Sequence, residues 1–301
     1  YKYRLNFNTA TISGTNPEDV VIDLIYGIPA SDKFSPYGGG FKFPALYKNK
    51  LMWCNRNDTN EGNRIDYSAD NAPDVYNGEN SSMNGFQSIY VGGVGQVTAA
   101  TQLYNRFGSN IFSIFVICKD NEVWLMTGDS PLDYKLYPIS FRIGCPAPYT
   151  LVTAEVGFNV GEDVERNIAM WISHQGPVMF DGAVIHPLQG LEDYFDPSND
   201  NFVNFDYIKE AQSWFDSTYQ EWNILLPTGT STSPNTWLVY SVRLRKWFSR
   251  DVGDSQAIQC GITALDSNGR QRIAGGSDDG RVYLLEEGTS YNGDPITYTV
   301  T

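Results

Sequence analysis

Two short apolar runs separated by three polar residues constrain the fold of this chain more than any other stretch. The runs are Ile111–Cys118 and Glu122–Thr127, joined by Lys119-Asp120-Asn121, and both are rich in β-branched and aromatic residues. Such runs, bounded by turn formers, are typical of strands, and a link this short predicts an antiparallel hairpin. The first run is apolar almost throughout, which predicts that both of its faces are covered. It is also too short to cross a bilayer as a helix, which takes about 20 residues.

The same design recurs along the chain. Groups of short strands begin near Val97, Leu151, Gln212 and Ala257, and an incomplete group precedes them. Because no long helical periodicity interrupts the pattern, the sequence predicts an all-β fold. Repeated four-strand groups predict a β-propeller of about five blades (five to seven), each a four-stranded antiparallel sheet. A pair of β-sandwiches is the alternative, because the groups are unevenly spaced and share no clean repeat signature.

The predicted propeller occupies residues 41–290. Residues 1–40 are predicted to form an entry segment or part of a neighbouring domain, in which Val20–Tyr26 (VVIDLIY) is a predicted strand. Residues 291–301 are the predicted start of a following segment. The chain begins at Tyr1 and ends within a strand-like run, so we expect it to be a fragment of a longer polypeptide.

Charge and cysteine usage narrow the functional classes. Acidic residues outnumber basic ones by 35 to 21, which gives a formal net charge of −14. Electrostatic capture of nucleic acid needs a basic surface instead, although DNA can still pass nearby. The four cysteines, Cys54, Cys118, Cys145 and Cys260, lie far apart without metal-binding spacing. Buried reduced thiols are therefore predicted rather than disulfides. The N-terminal YKYRLNFN lacks the apolar core of a signal peptide.

Three loop motifs imitate binding sites without completing them. Gly93-x-Gly95-x-x-Thr98 follows a predicted strand like a dinucleotide loop, but its third glycine is missing and no βαβ pattern surrounds it. Asp196–Asn201 alternates oxygen side chains like the start of a calcium loop, but the glycine and the final glutamate of such a loop are missing. Asp58–Gly62 matches less well. The glycine motif is therefore interpreted as a connection between strands, and the two acidic motifs are interpreted as solvated loops.

Candidate catalytic groups are equally isolated in the sequence. The two histidines, His174 and His186, adjoin predicted strands, and neither a G-x-S-x-G elbow nor a zinc-ligand cluster accompanies them. Paired carboxylates stand in predicted turns, which favour acidic residues for local reasons. These pairs are Asp278 with Asp279, Glu162 with Asp163, and Glu286 with Glu287. The tryptophans fall mostly in predicted strands and are assigned to the core. The sequence thus predicts no catalytic, cofactor-binding or metal-binding residues and no enzymatic activity.

Three stretches, taken in order, resemble one protein family. They are Asn63–Ser68 with Ala72–Tyr76, Phe115–Gly128 with Ile143–Cys145, and Trp171–Gly182 (WISHQGPVMFDG). In this order they are similar to the β-propeller of bacteriophage tail proteins, which are the nozzle, hub or head-to-tail stabilisation subunits of short-tailed phages. Tyr240–Trp247 and Gly280–Leu285 fit the same series, so the resemblance covers residues 41–290.

The resemblance implies a structural role in the virion. The expected protein is a tail subunit that forms a homo-oligomeric ring around the DNA channel, with other phage tail or portal-adapter proteins as partners. Double-stranded DNA would pass through during genome ejection without being tightly bound. No cofactor and no membrane-spanning segment belong to this expectation. The net charge of −14 fits such a channel, because an acidic surface repels phosphates; the simpler interpretation is that acidity serves solubility.

The sequence leaves a second function open. A β-propeller can also bind carbohydrate or cleave glycosidic bonds at a host cell surface. That function needs aromatic and carboxylate side chains that converge in one concave pocket. A structural subunit would instead show large contact surfaces for its neighbours.

Overall fold

The computed structural model describes residues 40–57, 60–68, 70–71, 87–107, 110–130, 132–159, 163–250, 257–285, 290–291 and 294–295. Within them the chain is all-β, as predicted: every helical segment is a short 3-10 turn, and all strand pairs are antiparallel. The 3-10 segments are Pro148–Thr150, Glu192–Phe195 and Phe205–Glu210.

Four sheets of four strands, hydrogen-bonded in chain order, make up most of the described chain. The first contains β1 (Phe41–Tyr47), β2 (Lys50–Arg56), β3 (Arg64–Tyr67) and β4 (Gln87–Tyr90). The second contains β5 (Val97–Phe107), β6 (Asn110–Lys119), β7 (Val123–Thr127) and β8 (Lys135–Ser140). The third contains β9 (Val152–Asn159), β10 (Asp163–Ser173), β11 (Gly176–Phe180) and β12 (Ile185–Pro187). The fourth contains β13 (Gln212–Asp216), β14 (Glu221–Leu226), β15 (Thr236–Ser241) and β16 (Lys246–Arg250).

A fifth sheet follows, formed by β17 (Ile258–Leu265), β18 (Gln271–Ser277) and β19 (Val282–Leu285). After it, β20 (Ser290–Tyr291) pairs with β21 (Asp294–Pro295). The predicted strand groups correspond to the second to fifth sheets, with two corrections. The group before Val97 is a complete four-stranded sheet, because β4 pairs with β3 across the long polar stretch that separates them in sequence. The last sheet has three strands in the described part of the chain, where four are predicted.

The hairpin at the centre of the sequence forms as predicted. β6 and β7 are antiparallel, with Phe115 opposite Met126. Because successive side chains of a strand point to opposite faces, β6 serves two cores. Val116 and Cys118 point toward the third sheet, while Phe115 and Ile117 point toward the first. All four are fully buried, which confirms coverage of both faces for the second half of the run, whereas Phe112 in its first half is 53% exposed.

Successive sheets pack on one another in chain order through four apolar cores. The core between the first and second sheets includes Tyr67 and Phe115, and the core between the second and third includes Val116 and Trp171. Two further cores join the third sheet to the fourth, and the fourth to the fifth. The second, third and fourth sheets therefore bury apolar side chains on both faces. Each fully buried large apolar side chain stabilises the fold by about 1.5–3 kcal/mol.

The connection from the second sheet to the third passes directly beneath the β6–β7 turn. Cys145 donates its backbone N–H to the Lys119 carbonyl oxygen over 2.7 Å. At Gly144, a Cβ would lie only 2.3 Å from the Asp120 carbonyl oxygen and 2.4 Å from that of Lys119. Trp171 Nε1 donates to the Gly144 carbonyl oxygen over 2.9 Å. Gly144 is thus the point at which the turn, the connection and a buried indole of β10 meet.

Several sequence predictions lie outside the described residues. They are the strand Val20–Tyr26, the acidic residues Asp58, Glu162, Glu286 and Glu287, and the Ala72–Tyr76 part of the resemblance. The proposed segment boundaries near residues 40 and 291 stay predictions.

Candidate functional site

The glycine-rich loop between β4 and β5 encloses a buried lysine. Lys119 is 2% exposed, and its Nζ donates to the Val94 carbonyl oxygen over 3.1 Å. Glu122 Oε2 lies 3.2 Å from the same nitrogen and accepts a hydrogen bond from Trp124 Nε1. A Cβ at Gly92 would lie 3.0 Å from Nζ. The Lys119 ammonium group therefore occupies the loop that resembles a dinucleotide site, and its partners are protein atoms.

The calcium-like stretch forms local turns. Asp196 Oδ1 accepts hydrogen bonds from the backbone N–H and the hydroxyl of Ser198, and these bonds hold the pKa of Asp196 below its ordinary value. Asn199 Oδ1 accepts in the same way from the backbone N–H of Asn201. The side-chain oxygens that would bind a calcium ion therefore accept hydrogen bonds from neighbouring groups of the same loop. In the described part of the chain, no group of three metal-ligating side chains lies close together.

The two histidines each pair with an aspartate, in different settings. His174 Nε2 lies 3.1 Å from Asp120 Oδ2, which links the β10–β11 turn to the β6–β7 turn, and its ring stacks on Phe205. His186 Nε2 lies 3.2 Å from Asp181 Oδ2 within one hairpin. Burial opposes ionisation of Asp181, but hydrogen bonds from the backbone N–H groups of Val184 and Ala183 and from His186 outweigh it and lower its pKa. Within the described residues, no hydroxyl or thiol nucleophile is hydrogen-bonded to either histidine.

Four charged side chains form a network at the first sheet, which the sequence analysis did not predict, although it named the stretches that contain three of them. Arg64 donates to both oxygens of Asp66, over 2.7 and 3.0 Å, and its Nη1 lies 3.0 Å from Glu61. Arg56 reaches the same Glu61 carboxylate over 2.9 Å, and Ser88 donates to Asp66. Burial favours the neutral form of Arg64, but the hydrogen bond and charge of Asp66, with the charge of Glu61, raise its pKa. The two carboxylates are thus neutralised by arginines.

Of the other predicted residues, Asp279 caps its own turn. It accepts from the Arg281 backbone N–H and from the hydroxyls of Ser277 and Tyr283, and its pKa is lowered chiefly by the Ser277 bond. The tryptophans divide into two groups. Trp171, Trp214, Trp222 and Trp237 are buried, which confirms their assignment to the core, whereas Trp53, Trp124 and Trp247 are half-buried.

All four cysteines are free thiols, as predicted. Cys54, Cys118 and Cys145 are buried, and burial raises the pKa of each thiol. Cys260 differs from the prediction of burial, because it is exposed on β17. Its position marks one face of the fifth sheet.

That face of the fifth sheet is apolar and exposed in the described part of the chain. Strand register places Cys260, Gly276 and Val282 in one row across the sheet, and Ile262, Ala274 and Leu284 in the next. Ile262, Val282 and Leu284 are 64%, 76% and 60% exposed. The opposite face carries Ile273 and Leu285 and packs on the fourth sheet. A concentrated set of exposed large apolar side chains marks a contact surface.

A groove between the first and second sheets has an exposed apolar residue at its rim. Leu46 on β1 is 66% exposed, and it borders a groove of about 530 Å³ between the first and second sheets. Pro44, Leu51 and Tyr104 also line this groove. This groove therefore opens between two packed sheets, unlike the apolar face of the fifth sheet, which lies at the end of the series.

No protein-family model matches the chain. No curated protein shows significant sequence similarity to it. Among the described residues, no helix has the length and apolar character needed to cross a membrane.

Proposed function

We propose that the five sheets are blades of a β-propeller and that the protein is a structural subunit of a bacteriophage tail. One observation carries the proposal: each sheet packs on the next sheet in the chain, through a separate core on each face of the three middle sheets. Radially arranged blades produce this order. In a β-sandwich, by contrast, a sheet packs on its partner through one face and presents the other to solvent.

The residues that carry the family resemblance support the tail assignment. Arg64–Tyr67 is β3 of the first sheet, Phe115–Thr127 spans β6 and β7 of the second, and Trp171–Phe180 spans β10 and β11 of the third. The same kind of stretch thus recurs in the middle strands of three consecutive sheets.

In this role the protein forms a ring of identical subunits in the tail, with other tail or portal-adapter proteins above and below. Native mass spectrometry of the purified chain is expected to give a closed homo-oligomer, and negative-stain images should show rings with a central passage. A chain that stays monomeric up to the highest soluble concentration would contradict the proposal.

The alternative function, carbohydrate binding or cleavage, is tested in the same preparation. Glu61 and Asp66 are a neighbouring carboxylate pair, bridged by Arg64, and they are the carboxylates to substitute. Turnover of a surface glycan that is lost in Glu61→Gln or Asp66→Asn would favour the alternative. A homo-oligomeric ring that does not turn over the glycan would favour the structural role in a tail.

The net charge leads to a prediction about DNA. With 35 acidic and 21 basic residues, the protein should repel the phosphate backbone beyond contact distance, at a range of about 8 Å in physiological salt. A fluorescein-labelled duplex in low salt is therefore expected to show no saturable anisotropy change up to about 100 µM protein, the weak end of ordinary non-specific affinities. A basic DNA-binding protein measured in parallel confirms that the assay detects such binding. Micromolar binding of the duplex that weakens steeply with salt would contradict the proposal that DNA passes through the channel without being bound.

A further inference from the structure

We propose that the β15–β16 turn of one copy of this chain binds the acidic end of the fourth sheet of a second copy. The turn carries Arg243, Arg245 and Lys246, and the acidic end carries the exposed carboxylates of residues 196–210. This contact rests on the proposed function, since it names the two surfaces through which the ring of subunits would assemble. It can fail while the ring itself stands, because another pair of surfaces could hold a ring together.

The β15–β16 turn concentrates positive charge at one end of the fourth sheet. Arg243, Arg245 and Lys246 are all exposed, and none of the ion pairs among the described residues involves them. Leu244, which stands among them, is 59% exposed. We call these four residues the basic tip. Its charge of +3 is thus left for a partner of opposite charge to neutralise.

Hydrogen bonds hold the basic tip in one conformation. Arg245 has a left-handed backbone with a φ of 53°, and its N–H donates to the Ser241 carbonyl oxygen over 2.7 Å. The Leu244 N–H donates to the Ser241 hydroxyl oxygen over 3.3 Å. Val242 donates its N–H to the Gln220 carbonyl oxygen of the neighbouring β13–β14 turn. A surface that is ordered in this way before binding loses less conformational entropy when a partner arrives.

The opposite end of the same sheet is acidic. β14 begins at Glu221, which pairs with Ser241 beside the basic tip, and ends at Leu226, roughly 20 Å away at the usual rise of a strand. At that far end, Asn204 donates its backbone N–H to the Pro227 carbonyl oxygen, so the segment 196–210 lies there. We call the exposed charges of this segment the acidic end, and they are Asp196, Asp200, Asp206, Lys209 and Glu210. Four carboxylates against one ammonium group give this end a charge of −3, which matches the basic tip.

The chemistry of both ends favours a second copy over a nucleic acid as the partner of the basic tip. The whole chain has a net charge of −14, so most of its surface repels a phosphate backbone. A second copy supplies a matched acidic surface instead. Tyr219, next to the basic tip, is 61% exposed, and Tyr207, within the acidic end, is 43% exposed. Tyrosine and arginine are enriched in the centres of protein–protein interfaces. Because the two ends are different surfaces, the contact is head-to-tail, and such contacts form a ring when successive rotations close.

Charge reversal at each end tests the contact. In Arg243→Glu/Lys246→Glu, like charges face each other across the interface, so the dissociation constant of the assembly is expected to rise at least about a hundredfold. Asp200→Lys/Glu210→Lys should have the same effect for the same reason. An equimolar mixture of these two double variants should associate again, because the acidic tip of one variant then meets the basic end of the other. Sedimentation velocity over a dilution series at physiological salt measures all three results.

Two further variants separate the position of the charges from net charge and from folding. Lys135→Glu/Arg142→Glu reverses two exposed cations of the second sheet and changes the net charge by the same amount, so it should assemble like the parent chain. Circular dichroism shows whether each variant is folded. If the tip reversal does not fold, Arg243→Gln/Lys246→Gln removes the same charges without repulsion, and a rise of at least about tenfold in the dissociation constant is expected.

The outcomes distinguish this contact from the ring. A parent chain that is monomeric would overturn both the proposed ring and the contact. A parent assembly that the folded tip variant leaves intact would show that only the contact is wrong, and so would a mixture of the two double variants that does not associate. A labelled DNA duplex that binds the parent chain but not the tip variant would also rule the contact out, because the basic tip would then be a phosphate-binding site.

Discussion

Replacement of Trp171 by Ala is expected to lower the free energy of unfolding by about 3–5 kcal/mol, the range for removal of a buried aromatic side chain. Trp171 is fully buried in the core that joins the second and third sheets. The substitution removes the apolar area of the indole, leaves a cavity, and strips the Gly144 carbonyl oxygen of its donor. Urea unfolding followed by tryptophan fluorescence and circular dichroism measures the change.

Two controls separate these contributions. Trp171→Phe keeps most of the apolar volume but loses the Nε1–H donor, so a loss of about 1–3 kcal/mol is expected, as for a buried acceptor left unpaired. Leu132→Ala removes a side chain that is 91% exposed and should change stability by less than about 0.5 kcal/mol. Equal effects of Trp171→Ala and Leu132→Ala would show that the core between these two sheets contributes little to stability.

Gly144→Ala is expected to cost about 3 kcal/mol or more, at or above the upper end of the usual overpacking penalty. The added Cβ would lie 2.3–2.5 Å from Asp120 O, Lys119 O and Asn121 N. All three are backbone atoms of the β6–β7 turn, so a side-chain rotation cannot relieve the clash. Either the turn or the connection must move, and the hydrogen bond from Trp171 moves with it. Thermal and urea unfolding of the purified variant give the magnitude.

Gly93→Ala is the matched control for that substitution. Gly93 also lies in a connection between sheets, but a Cβ there would meet no atom within 4 Å. Its stability should therefore stay within about 0.5 kcal/mol of the parent chain. If both alanine variants lose the same stability, the cause is not the close approach at Gly144.

The charge network of the first sheet was only partly predictable from the sequence. Arg64 and Asp66 are two residues apart in a strand, so their side chains share a face, and this signal is present in the sequence. Arg56 and Glu61 complete the network, but they lie on β2 and in the connection to β3. Their convergence therefore depends on how the chain turns between the two strands, which strand periodicity does not predict. The pairing of His174 with Asp120 depends on two sheets lying side by side, so no local pattern predicts it.

The amino-acid sequence by itself determined the all-β class, the central hairpin and most strand groups, because strand periodicity, turn residues and β-branched composition act over only a few neighbouring residues. It also indicated the free cysteines through their lack of spacing. Only the tertiary structure decided that β4 joins the first sheet across a long polar stretch, that Lys119 fills the glycine-rich loop, and that Cys260 lies on an exposed apolar face. Each of these depends on contacts between residues far apart in the chain, whose free energy comes from burial and charge pairing after the sheets have packed. Local sequence patterns carry no record of those contacts.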